Sequence, residues 1–216
     1  MLLKKLLPIL IISLLFPLYC YSYEAKKEPF EHKIYLFKNF YHAESLKEIR
    51  RVIPVTYSYF YDGYISTERY SVATVPGNML FYFDKKHKLQ NCCFLFNQSY
   101  DNQMLLIQAL LSNNFKTLDI AGANTFQRVL NKERDKLDSD DLHEILTKIS
   151  NYLFEYKDIS VTFMPKSYTG NIPDRMAEYI VINDNFKTIC LLRFSSPSME
   201  QVELSKKADK ASKEKF

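Results

Sequence analysis

Glycine is scarce, four in 216 residues, and tryptophan is absent. No two of Gly63, Gly77, Gly122 and Gly170 stand close enough to build a glycine-rich phosphate loop. That counts against common nucleotide chemistry. G-x-S-x-G, H-E-x-x-H and C-x-x-C do not occur either, so the familiar serine-hydrolase, zinc-protease and dithiol signatures are missing. Charge of one sign is also lacking: 29 Lys and Arg stand against 25 Asp and Glu, a formal +4. Removing Lys4 and Lys5 with an N-terminal leader would leave +2. That balance gives no basis for a nucleic-acid partner. The aromatic content is the counterweight, with 16 Tyr and 16 Phe. A core must therefore be built from Phe, Tyr, Leu and Ile.

The N-terminus reads as a secretory signal peptide over residues 1–22. Lys4 and Lys5 precede an apolar run from Leu6 to Leu18, and the small residues Cys20 and Ser22 follow two apart. The run is short for a spanning helix, which needs ~20 residues, and Pro8 and Pro17 interrupt it. An uncleaved anchor is the competing reading, and it is the only route to a membrane. A lipid anchor on Cys20 would have to tolerate the bulky Tyr19 before it. Cleavage would leave residues 23–196 as a single domain and 197–216 as a polar, solvated tail.

Export permits disulfides, but Cys92, Cys93 and Cys190 are an odd number. Neighbours on a strand point to opposite faces, so Cys92 and Cys93 do not suit each other. The candidate disulfide is Cys93–Cys190, against the plainer reading of three small buried hydrophobes.

The chain is organised around Met79–Phe96. Two apolar runs, Met79–Phe83 and Leu89–Phe96, flank the polar stretch Asp84–Lys88, which reads as a β-hairpin with a longer loop. Apolar residues fall on both faces of each run, so both faces need cover. Glu178–Phe194 echoes this pattern. Laying Leu89 on Phe186 brings Cys93 onto Cys190. Two similar helix-plus-sheet halves, 30–131 and 139–196, would account for the echo, although buried hairpins resemble one another in general.

Around these hairpins the pattern predicts a strand over 32–40 and a helix over 43–52 with Ser45 and Glu48 as a capping box. A hairpin follows over 55–73, with Asp62-Gly63 as a short I′ turn and Pro76-Gly77-Asn78 as the next turn. A helix is predicted over 101–111 with Met104, Leu105, Ile107 and Leu111 inward, and an ambiguous apolar patch follows at 115–121. A short helix at 125–131 and a charged connector at 132–138 come next. A clear helix is predicted over 139–156, then a strand at 159–164. The fold class is α+β, antiparallel meander hairpins packed by helices.

Candidate chemistry is thin. Asp138, Asp140, Asp141 and His143 have metal-ligand character, yet a helix start wants acids there anyway. His87 sits in a lysine-rich hairpin loop. An exported hydrolase with a dispersed site drawn from Asp62, His87, Asp138, Asp140 and His143 is the alternative function. The leading expectation is an exported, non-enzymatic binding protein without cofactor or metal. It would use a tyrosine-rich sheet face of Tyr57, Tyr59, Tyr61, Tyr64 and Tyr70 against another envelope or secreted protein.

Overall fold

Capping and strand pairing set the element order. In the computed structural model, residues 34–122, 134–137, 139–167, 173–184 and 187–199 are described. The leader, Asp138, the helix expected over 125–131 and the tail beyond residue 199 lie outside them.

Strands β1 (Tyr35–Phe37) and β2 (Phe40–Tyr41) form a small hairpin of their own. The single strand expected over 32–40 is broken at Lys38, whose φ is 48°. Helix α1 (Leu46–Val52) begins as expected: Ser45 Oγ accepts from the Glu48 amide, and the Glu48 carboxylate accepts from the Ser45 amide at 2.7 Å. Strands β3 (Val55–Ser58), β4 (Gly63–Ser66), β5 (Tyr70–Val72), β6 (Val75–Phe83) and β7 (Leu89–Phe96) follow. Helix α2 (Tyr100–Ser112), capped by Ser99, leads to β8 (Phe115–Gly122). Then come β9 (Arg134–Lys136), α3 (Leu142–Tyr156), β10 (Ile159–Pro165), β11 (Met176–Asp184) and β12 (Lys187–Ser195).

One ten-stranded sheet runs in the order β3-β4-β6-β7-β12-β11-β10-β8-β9, with β5 also on β6. Every pairing in it is antiparallel. Two meanders, β3-β4-β6-β7 and β8-β10-β11-β12, therefore meet edge to edge at β7 and β12. Their register sets Cys93 opposite Arg193 and Cys190 opposite Phe96.

Helices α2 and α3 pack on one face of this sheet. Its core holds Phe81, Cys92, Phe94, Val161, Phe163, Tyr179, Leu192 and Phe194 from the strands, with Leu106, Ile107, Ile145 and Ile149 from the helices. The alternate residues, among them Leu80, Cys93 and Ile180, are buried but stand outside that cluster, on the second face.

Several local expectations change. The turn expected at Pro76-Gly77-Asn78 sits instead at Ala73 and Thr74, with φ of 49° and 70°, and Gly77 is a strand residue. Its lack of a side chain is needed there: a Cβ would lie 2.1 Å from the Leu95 carbonyl oxygen and 2.7 Å from the Phe94 ring. Residues 134–136 of the charged connector form an edge strand on β8. The fully buried face of α2 is Gln103, Leu106, Ile107 and Leu110, a partial rotation from the expected stripe, of which Ile107 is fully buried while Met104, Leu105 and Leu111 pack half-buried against the core. The rotation lets buried Gln103 accept from the Tyr179 hydroxyl at 3.2 Å.

The disulfide does not form. All three cysteines are free and buried. Cys93 faces the second side of the sheet with Leu80, whereas Cys190 faces the helices with Phe96. A one-residue slip in a strand exchanges its faces, and laying Cys93 on Cys190 contained that slip. Cys92 is the residue that shares a face with Cys190.

Candidate functional site

Strand β3 ends at Ser58, which pairs with Gly63, so Tyr59 to Asp62 form a four-residue turn instead of a two-residue one. Asp62 takes the left-handed conformation, φ 50°, and Gly63 does not. The Tyr57 hydroxyl donates to Asp62 Oδ1 across this turn, and that bond pushes the Tyr57 pKa up.

The turn divides the tyrosines. Tyr57 and Tyr64 are cross-strand partners with rings 5.4 Å apart; Tyr59 stacks edge-on against Tyr57 at 5.1 Å, and Tyr64 meets Phe83 at 5.5 Å. These rings share the side of the sheet that carries Phe81. Phe60 and Tyr61, 4.7 Å apart, lean the other way. The Lys187 ammonium, at the start of β12, lies 5.4 Å from the Phe60 ring centre. Tyr61 lines a groove on the second face together with Tyr82 and Cys93. The one-face placement of Tyr57, Tyr59 and Tyr61 fails because two-residue alternation stops where the strand stops. Tyr70 stands apart, on β5, where its ring is 6.5 Å from Phe40 and 4.7 Å from the Lys38 ammonium. Burial pushes its pKa up.

The groove under the tip encloses about 500 Å³. Ile180 and Ile182 of β11 and Ile189 and Leu191 of β12 line it. At one end Arg193 Nε lies 3.1 Å from Glu178 Oε2, its cross-strand neighbour. Burial pushes the Tyr82 hydroxyl up to about 12. The Cys93 thiol is pushed to about 12 by burial as well, and Arg193 draws it back only in part. At neutral pH both are therefore protonated, and Cys93 is no nucleophile. The groove offers apolar area, hydrogen bonds and one compensated ion pair.

Of the residues of the hydrolase alternative, Asp138 lies outside the described residues, and Asp62 and Asp140 are tied into local structure, as is Asp141. Asp62 is held by Tyr57. His87 sits in the β6–β7 loop, where Asp84 accepts from the amides of Lys86 and Lys88 at 2.8 Å each. Asp141 caps α3 through the amides of His143 and Glu144, and Asp140 pairs with Lys166 at 2.8 Å. Among the described residues no group of three His, Cys, Asp or Glu side chains is placed to hold a metal. No described helix is long and apolar enough to cross a membrane.

Sequence reasoning missed Phe60, Tyr82, Ile189 and Leu191 as site residues. The signal was present, because apolar residues on both faces of β6, β7, β11 and β12 demand cover, and helices on one side leave the other to something else. No protein-family model, curated protein or solved structure matches the chain.

Proposed function

We propose that the chain is an exported, non-enzymatic binding protein that engages another envelope or secreted protein through the β3–β4 tip and the groove it overhangs. The observation that carries this reading is the tip itself. Tyr59 is 92 % exposed on one side of the turn, and Phe60 is 70 % exposed on the other, where it lines an apolar groove of about 500 Å³. Exposed large aromatics grouped beside apolar area mark an interaction surface more often than a fold requirement. Tyr and Phe supply contact area at small entropic cost, and the tyrosine hydroxyl keeps a hydrogen bond available at the rim. Export rests on the leader-type N-terminus.

The groove suits an extended apolar segment of the partner, bounded by the ion pair of Arg193 and Glu178. The test is site-specific photo-cross-linking in the exporting host. A photoreactive side chain at Tyr59 should yield a discrete adduct with one partner, and Tyr59→Ser with Phe60→Ser should remove that partner from the purified complex while leaving stability unchanged. A partner retained in full by the double variant would overturn the reading.

A further inference from the structure

A second cleft lies on the helix side of the sheet, between the β1–β2 hairpin, α2 and β12. It encloses about 350 Å³. Its floor is made of core side chains, including Leu36, Leu106, Leu110, Leu192 and Phe194, each 5 % exposed or less. Two cations stand at its rim. Lys38 is the committed one: its ammonium donates to the Ser71 carbonyl at 3.1 Å and lies over the Tyr70 ring.

Arg175 is different. Its guanidinium carbon sits 5.0 Å from the Tyr35 ring centre and 4.7 Å from that of Phe115. The residue is half-buried, and burial lowers its pKa. An arginine remains charged under such a shift. Among the described residues it has no carboxylate partner; the salt bridges formed there involve Lys148, Lys166 and Arg193. Its neighbour Asp174 is exposed. Withdrawing a cation from water costs stability unless an anion or good hydrogen bonds replace the lost hydration. Two aromatic faces supply part of that, but they use none of the guanidinium's five N–H donors, which lie in its plane.

We infer that this cleft binds a single-chain amphiphile with a carboxylate head, a fatty-acid-like molecule whose carboxylate pairs with Arg175 and whose chain lies on Phe37, Ala73 and Ala109, the half-buried apolar lining of the cleft. The geometry sets both parts. A planar guanidinium lying over two rings keeps its N–H edge uncommitted, and that edge is what a carboxylate meets with two parallel hydrogen bonds. The volume is at the low end of small-molecule sites, which suits one acyl chain and excludes a two-chain lipid. The site is separate from the groove under the β3–β4 tip, which is on the opposite face of the sheet, so the two readings stand or fall independently.

The test is calorimetric titration of the full chain with decanoate and, as a neutral-headed control, decan-1-ol, each below its aggregation limit. Decanoate should bind at one site, at least tenfold more tightly than decan-1-ol. Arg175→Gln should bring decanoate down to the level of decan-1-ol and leave decan-1-ol unchanged. Ala109→Phe, which fills the cleft from α2 and leaves the cation in the sequence, should weaken both ligands at least tenfold. The inference is overturned if decanoate does not bind, if the two ligands bind equally in the unaltered chain, or if Ala109→Phe leaves decanoate affinity intact. The last outcome would place the ligand elsewhere, and it is readable even if Arg175→Gln fails to fold.

Discussion

Replacing Gly77 with alanine separates the turn expected from Pro76-Gly77-Asn78 from the strand that the structure shows. In a surface turn with negative φ, alanine would be neutral or stabilising by ~0.4–1 kcal/mol, because it restricts the unfolded chain. In β6 the new methyl would lie 2.1 Å from the Leu95 carbonyl oxygen, a backbone atom of the neighbouring strand, and 2.7 Å from two Phe94 ring carbons. Phe94 is 0 % exposed, so its ring has nowhere to retreat. Overpacking of a tight core costs roughly 1–3 kcal/mol, and a clash against backbone in the middle of the sheet belongs at the upper end. For a chain of this size about 3 kcal/mol lowers Tm by roughly 6–12 °C. Gly63→Ala is the internal control: its nearest contacts would be 3.1–3.3 Å, two of them to side-chain atoms of Leu80 and Tyr82, so it should cost about 1 kcal/mol or less. Urea unfolding followed by far-ultraviolet circular dichroism gives both values. A Gly77→Ala variant as stable as the unaltered chain, or one less affected than Gly63→Ala, would refute the β6–β7 packing.

Three further outcomes follow from the same coordinates. Cys92, Cys93 and Cys190 should react with a thiol reagent at the rate of global unfolding, and non-reducing mass analysis should show no Cys93–Cys190 bond, because burial raises all three thiols and the sheet sets the latter two on opposite faces. Removing the α1 cap with Ser45→Ala should cost ~1 kcal/mol, read as a shift in the urea midpoint without change in slope; no shift would mean that the reciprocal bonds with Glu48 contribute nothing. Stability should fall as pH rises from 10 towards 12, since the native Tyr82 hydroxyl holds its proton to about 12 while the unfolded one releases it near 10.0. Tyr82→Phe should flatten that part of the stability–pH curve, and an unchanged slope would show that Tyr82 is not buried as described.

Much of this architecture was open to reading along the chain because its causes are local. Ser45 and Glu48 lie three residues apart and cap α1 whatever surrounds them. Ile145, Leu146 and Ile149 mark the inward face of α3 by their own spacing. The runs that became β6–β7 and β11–β12 state their alternation and their need for cover on both sides. What stayed hidden depends on pairing between distant segments. Nothing near Ala73 and Thr74 announces a hairpin turn; the pairing of β5 with β6 imposes it. Whether Cys93 or Cys92 shares a face with Cys190 turns on one residue of register between strands almost a hundred positions apart. The groove beneath Phe60 and Tyr61, and the aromatic contacts of Arg175 with Tyr35 and Phe115, exist only once separate segments converge. Composition and periodicity thus determined the α+β class and the types of the strongly periodic elements, since these follow from neighbours in the chain. Register, the division of aromatics between the two faces and both clefts were decided in three dimensions, because contacts between remote residues carry no mark in either local stretch.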